Sequence, residues 1–161
     1  MKSIVFVCAG NTCRSPAAAA LFAALVEERE AWWVESAGIR AARGAPASRE
    51  LVSLLAERGI DLSRHRSKLL EDLPLDAFGL ALVMEEEHKR SLLARCPGLA
   101  GRVFLLGEMS GGKEEVPDPF GGGLEDYQNM LGRLECLILA GMQGIQARLE
   151  RGETRPEGDI S

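Results

Sequence analysis

Cys8, Arg14 and Ser15 stand within the run Val7-Cys8-Ala9-Gly10-Asn11-Thr12-Cys13-Arg14-Ser15-Pro16. Those types at that spacing suit phosphoryl chemistry. A thiolate is a strong nucleophile, and a guanidinium fork binds two oxygens of one anion side by side. Between them Ala9, Gly10, Asn11, Thr12 and Cys13 are short enough for the backbone to turn tightly and aim several N–H groups at one point. Gly10 and Asn11 are residue types that tolerate left-handed backbone. A helix opening directly after the loop adds unpaired N–H groups and the positive end of its dipole. The same field favours the thiolate of Cys8, and the Ser15 hydroxyl can hydrogen-bond its sulfur. An oxyanion held in this loop sits in line for attack by Cys8. The competing reading is a buried structural cysteine beside a surface arginine.

Spacing alone does not decide between them. Cys96 and Arg102 repeat it, but there the preceding segment reads as helix and no new helix follows the arginine. Around Cys8 the context agrees. Residues 3–7 are β-branched or aromatic apart from Ser3, as a buried strand wants. Ser15 suits an N-cap and Pro16 the first helical position. A leaving group also needs a proton, and Asp118 is the candidate donor. Pro117 and Pro119 stiffen the backbone on either side of it, and Phe120 can shield the carboxyl from water. An Asp-Pro pair by itself is more often a turn. Cys13, a second thiol inside the loop, either fills space under the helix or acts as a resolving thiol that joins Cys8 in a disulfide on oxidation.

The elements that must position these residues alternate. Strands are predicted over 3–8, 32–37, 78–84 and 102–106, and helices over 17–30, 48–58, 85–94 and 124–150, with a short helix over 68–74. Leu51, Leu54 and Leu55 share one helical face, and Gly59 stops that helix. A glycine-rich, acidic loop covers 107–123. Trp32 and Trp33 read as packing residues. Strands separated by helices predict an α/β fold: a four-stranded parallel sheet flanked by helices on both faces, with the phosphate-binding loop after strand 1. Sites in such sheets lie at the carboxyl ends of the strands, which is where Cys8 falls.

With 161 residues, one domain over 1–153 and a polar tail over 154–161 are expected. The 19 basic and 24 acidic residues leave a net charge of −5, and no basic run offsets it, which argues against nucleic acid as a partner. No apolar run reaches transmembrane length, and a strand from residue 3 leaves no room for a signal peptide, so no membrane association and a cytoplasmic location are expected. Four cysteines are too few for a disulfide framework and are expected as thiols. His65 and His88 lie far apart and no C-x2-C pair exists, so neither a metal nor another cofactor is expected.

The run through Cys8 and Arg14 resembles the signature loop of the low-molecular-weight protein tyrosine phosphatase family, and Asp118-Pro119-Phe120 resembles its general-acid loop. Ser36-Ala37-Gly38, Gly59-Ile60-Asp61-Leu62-Ser63-Arg64-His65-Arg66-Ser67 and Leu82-Val83-Met84 are similar to further family segments, and the likeness runs from about residue 2 to residue 150. The resemblance implies a protein phosphatase that works through a phosphocysteine on phosphorylated protein substrates. In it Cys8, Arg14 and Asp118 are catalytic. Ala9, Gly10, Asn11, Thr12, Cys13 and Ser15 hold the phosphate, and Phe120 meets the substrate. Ser36 and His65 support the loop, His65 by bracing Asn11.

Three departures bear on the substrate. Tyrosine-directed members usually carry a bulky aliphatic residue where Thr12 stands, two aromatics after Asp-Pro, and another in the loop after the second strand. Here Phe120 is followed by Gly121, and residues 40–50 contain no aromatic. This pattern is similar to the protein-arginine phosphatase branch. A threonine hydroxyl can accept a hydrogen bond from the N–H groups of phosphoarginine, where isoleucine would leave them unpaired. Tyrosine phosphatase activity is the alternative. A thiol-dependent arsenate reductase would need two more cysteines after strand 3, where only Cys96 lies. A non-catalytic phosphate-binding module would need neither nucleophile nor acid.

Overall fold

The computed structural model describes residues 2–26 and 31–153. The first strand, β1 (Lys2–Cys8), is buried from its second residue onward. Its alternating side chains supply two cores. Ile4 and Phe6 face one side, where helix α1 (Arg14–Val26), helix α2 (Arg49–Ala56) and the last helix, α4 (Leu124–Glu153), pack on them. Val5 and Val7 face the other side, covered by helix α3 (Glu86–Arg95) and short 3-10 turns. A strand buried on both faces explains the unbroken apolar run.

The remaining strands are β2 (Trp32–Gly38), β3 (Leu80–Val83) and β4 (Val103–Leu105). All pairs are parallel, in the order β2-β1-β3-β4. The predicted α/β architecture, a four-stranded parallel sheet with helices on both faces, is the one observed. Phe6, Phe22 and Trp32 form a chain of ring contacts at 5.6 and 5.0 Å that locks α1 and β2 onto β1. Trp33 stacks on Phe78 at 4.3 Å on the opposite face.

Boundaries moved for physical reasons. Helix α1 begins at Arg14, with the Ala17 N–H donating to Cys13 C=O at 3.0 Å, so Ser15 lies inside the helix and caps nothing. Its hydroxyl turns back into the loop instead. Strand β3 starts later than predicted because the Phe78 N–H closes a 3-10 turn on Leu75 O and the Gly79 N–H donates to Ser3 Oγ. The expected short helix over 68–74 is a 3-10 turn, Leu70–Asp72, followed by another at Leu75–Ala77. The predicted end of the first helix at 27–30 and the predicted tail 154–161 lie outside the described residues. No helix of the described residues is long and apolar enough to cross a membrane.

Candidate active site

Cys8 ends β1 and pairs in register with Gly38 at the end of β2. The chain then turns through the loop 9–13 before α1 begins. Asn11 makes the turn with φ +56°, the single left-handed non-glycine among the described residues; Gly10, the other candidate, is not left-handed. Asparagine bears this conformation at little cost, and its buried side chain fixes the loop. Asn11 Nδ2 donates to Ser15 Oγ at 2.8 Å and to Ser36 Oγ at 2.9 Å, while Oδ1 accepts from Lys68 N–H at 2.9 Å. His65 Nε2 donates to the Asn11 carbonyl at 2.7 Å, since a carbonyl can only accept.

This network decides what the thiol meets. Ser15 Oγ accepts from Asn11, and its own proton has two acceptors, Cys8 Sγ at 2.9 Å and the more distant Ala37 O at 3.4 Å. The backbone N–H groups of 9–13 donate to no other described residue and are open to an anion. Gly38 keeps the loop close to the sheet: a Cβ there would stand 2.6 Å from Ala9 O and 3.0 Å from Asn11 N.

Arg14 is buried, with its guanidinium fixed from the far side. Nη1 donates to Val116 O at 2.9 Å and to Glu85, and Nη2 stands 3.9 Å from Asp118 Oδ2. Glu85 in turn touches buried His88, whose Nδ1 accepts from the Glu85 N–H at 3.2 Å and whose Nε2 stands 3.5 Å from Oε2. Burial, then the nearby Arg14 charge, hold the His88 pKa below its ordinary value. Neutral His88 therefore carries its proton on Nε2, toward Glu85.

Residues 8–14, Asp118 and Phe120 line one cleft of about 270 Å³ together with Arg40, Ser48 and Tyr127. Ser15, Ser36 and His65 lie behind the loop in the bonds described above. Phe120 does not shield Asp118 as expected: it is 85 % exposed, and half of the Asp118 side chain meets solvent. Instead the Phe120 N–H donates to Asp118 Oδ1 at 3.0 Å and sets the carboxylate's direction. Ser48, at the start of α2, donates its N–H to Thr12 O at 2.9 Å and its hydroxyl to the same atom at 3.3 Å. Cys13 and Tyr127 line the cleft together with Ser48. Cys13 is pushed up to about 12, by burial first and then by Asp118 and Cys8, so it stays a thiol at neutral pH.

Sequence reasoning missed Arg40, Ser48, Glu85, His88 and Tyr127. Glu85 had a usable signal, because the apolar run through Met84 ends beside strand 1 in a parallel sheet. Tyr127 had none: it reaches the cleft only because α4 returns across α1 and α2. The assembled groups can stabilise a thiolate, hold a tetrahedral dianion on backbone N–H groups and a fixed guanidinium, and present a carboxyl at the mouth. Among the described residues no cluster of three or more metal-ligating side chains is found.

A family model described as "Low molecular weight phosphotyrosine protein phosphatase" matches residues 3–151. The chain is 41% identical over 138 residues to a protein-arginine-phosphatase of Geobacillus stearothermophilus, covering 84% of this chain and 90% of that one. It is 37% identical over 147 residues to a probable low molecular weight protein-tyrosine-phosphatase EpsP of Ralstonia solanacearum, covering 91% and 98%. Among solved structures, a low molecular weight protein tyrosine phosphatase from T. tengcongensis matches with a TM-score of 0.83 and 40% identity, covering 89% and 99%.

Proposed function

The chain belongs to the low molecular weight phosphotyrosine protein phosphatase family, a family of cysteine-dependent hydrolases, and from that premise we propose that it dephosphorylates phosphoarginine in proteins. The Cys8 thiolate attacks phosphorus while the loop N–H groups and Arg14 hold the three non-bridging oxygens. The S–P bond forms as the P–N bond breaks, and Asp118 gives its proton to the departing guanidine nitrogen. Asp118, now a carboxylate, takes a proton from water, which attacks the phosphocysteine and releases inorganic phosphate and the thiolate.

Thr12 carries the arginine reading. It is half-buried on the cleft wall, and its Oγ1 leans over Gly10, 3.8 Å from where a Cβ of that residue would stand. A hydroxyl at this height accepts from the planar N–H groups of a phosphorylated guanidine, where an aliphatic wall offers no partner. The relative named a protein-arginine-phosphatase supports the same reading. Tyrosine is the second reading, favoured by Tyr127, which gives the cleft an aromatic wall besides Phe120. Quenching turnover of an arginine-phosphorylated protein and mapping the phosphoryl group tests the mechanism. Phosphate on the Cys8 peptide is expected, and none in Cys8→Ala; turnover with no label on Cys8 would refute it.

All four cysteines are free, which supports a cytoplasmic location and leaves Cys13 available to Cys8. After peroxide, a Cys8 sulfenic acid condenses with the Cys13 thiol to a disulfide and water. Its raised pKa makes that step slow at neutral pH and faster as pH rises. Non-reducing peptide mass spectrometry that finds no 8–13 disulfide at any pH would remove this role.

A further inference from the structure

A second cleft opens at the other end of the sheet. Its volume is about 800 Å³, about three times that of the cleft over Cys8. The first residues of β1 and β3, the turn before β4 and the last turns of α4 form it. The length of β1 puts it about 20 Å from the thiol. Its volume lies in the range of small-molecule sites, roughly 300–1,000 Å³.

The lining is basic in a chain whose net charge is −5: Lys2, Arg102, Arg148 and Arg151 line it, and among the described residues no carboxylate does. Asp76 stands at the rim, with Oδ1 2.9 Å from the place of a Gly98 Cβ. Two of these cations, Arg102 and Arg148, are oriented by groups other than carboxylates among the described residues. Arg102 donates to the backbone carbonyls of Asp76, Phe78 and Gly98 at 3.0, 2.8 and 2.9 Å. Those bonds fix the plane of the guanidinium through neutral carbonyls, which leave its formal charge in place, with Nε and one Nη2 hydrogen not used by them. Arg148 stands over the Phe104 ring, 4.6 Å from the centroid, a ring that Lys89 Nζ also approaches at 5.7 Å, and its hydrogen bond goes to the Gly144 carbonyl. A cation stacked on a ring keeps its charge, and the ring–guanidinium pair offers a flat surface for a further planar group. Leu80 and Leu149 close the floor.

We propose that this cleft binds a ligand bearing a polyphosphate, with Arg102 and Arg148 as the anchoring cations. Bidentate guanidinium–phosphate contacts suit a chain of phosphates better than a single carboxylate. The cleft has room for a ring beside the phosphates, and the Arg148–Phe104 pair is where it stacks. A nucleoside triphosphate and inorganic triphosphate share this chemistry and differ in the ring. The site is separate from the phosphohydrolase cleft and does not depend on which phosphorylated residue that cleft accepts.

Equilibrium dialysis of the full chain against ATP and against inorganic triphosphate tests it, alongside aryl phosphate turnover. Saturable binding that weakens as salt rises is expected for both, and tighter binding of ATP would assign a contribution to the ring. Arg148→Gln and Arg102→Gln should each weaken binding at least tenfold while leaving aryl phosphate kcat and KM unchanged. Because Arg102 ties three carbonyls, Arg148→Gln decides if Arg102→Gln does not fold. Absence of binding at millimolar ligand would overturn the proposal. So would binding that Arg148→Gln does not alter and that inhibits aryl phosphate turnover competitively, since the ligand would then occupy the Cys8 loop.

Discussion

Asn11 shows how much one residue can position. Its backbone makes the turn, its amide orients Ser15 toward Cys8, and its carbonyl is held by His65. The sequence showed Cys8, Arg14 and Asp118 because their chemistry is local to short motifs. It also showed the Ser15–sulfur bond, but not that Ser15 gives up the helix cap, because the helix already begins at Arg14 and the Ser15 hydroxyl is held by Asn11, itself tied to Ser36 on another strand. Two predictions belong at this scale. Asp118→Asn removes the proton donor and should lower the rate on a poor leaving group about 10²- to 10⁴-fold, with a much smaller loss on an activated aryl phosphate. Stopped assays on both substrates check this; equal losses would make Asp118 structural. Thr12→Ile leaves guanidine N–H groups unpaired and should cost about 1–3 kcal/mol of transition-state binding on phosphoarginine, roughly ten- to a hundredfold in kcat/KM. Activity on phosphotyrosine should hold or rise.

Among elements, the β1–loop–α1 unit depends on β2 lying against it. The strands were legible as apolar runs and the helices as periodic ones. The 3-10 turns were not, since three residues carry no period. Nor was the role of α4 as a wall of the cleft, because Ser48 and Tyr127 line it together only once α2 and α4 are packed. Gly38→Ala tests the coupling of β2 to the loop. The added Cβ would sit against Ala9 O, Ala41 Cβ and Asn11 N, at 2.6, 2.9 and 3.0 Å, all backbone or rigid atoms. The loop must shift outward, so kcat should fall at least about tenfold for a displacement well under 1 Å. Thermal stability should fall by only a few degrees. Full activity with a large stability loss would place the strain elsewhere.

Across the whole molecule, the two histidines link stability to pH. Burial is the main cause that lowers both, so each is neutral in the fold, and the unfolded chain takes up protons first as pH falls. Their stabilisation is complete above the unfolded value of about 6.5 and is lost as pH drops through the lower folded values. The exposed carboxylates whose pKa values are lowered, Asp61, Glu71 and Asp72, act only further into acid. Melting temperature should therefore fall as pH drops below about 6.5, and His65→Gln, which keeps a donor for Asn11 O, should flatten part of that fall. A melting temperature that stays level over this window would mean the histidines are not held neutral.

The account stands or falls on what the cleft hydrolyses. The most direct measurement is the ratio of kcat/KM on one peptide carrying either phosphoarginine or phosphotyrosine at the same position. The polar wall at Thr12 predicts at least about tenfold preference for phosphoarginine, reversed or abolished in Thr12→Ile. Preference for phosphotyrosine in the wild type, unchanged by Thr12→Ile, would contradict it and leave a tyrosine phosphatase that uses Phe120 and Tyr127 as its aromatic walls.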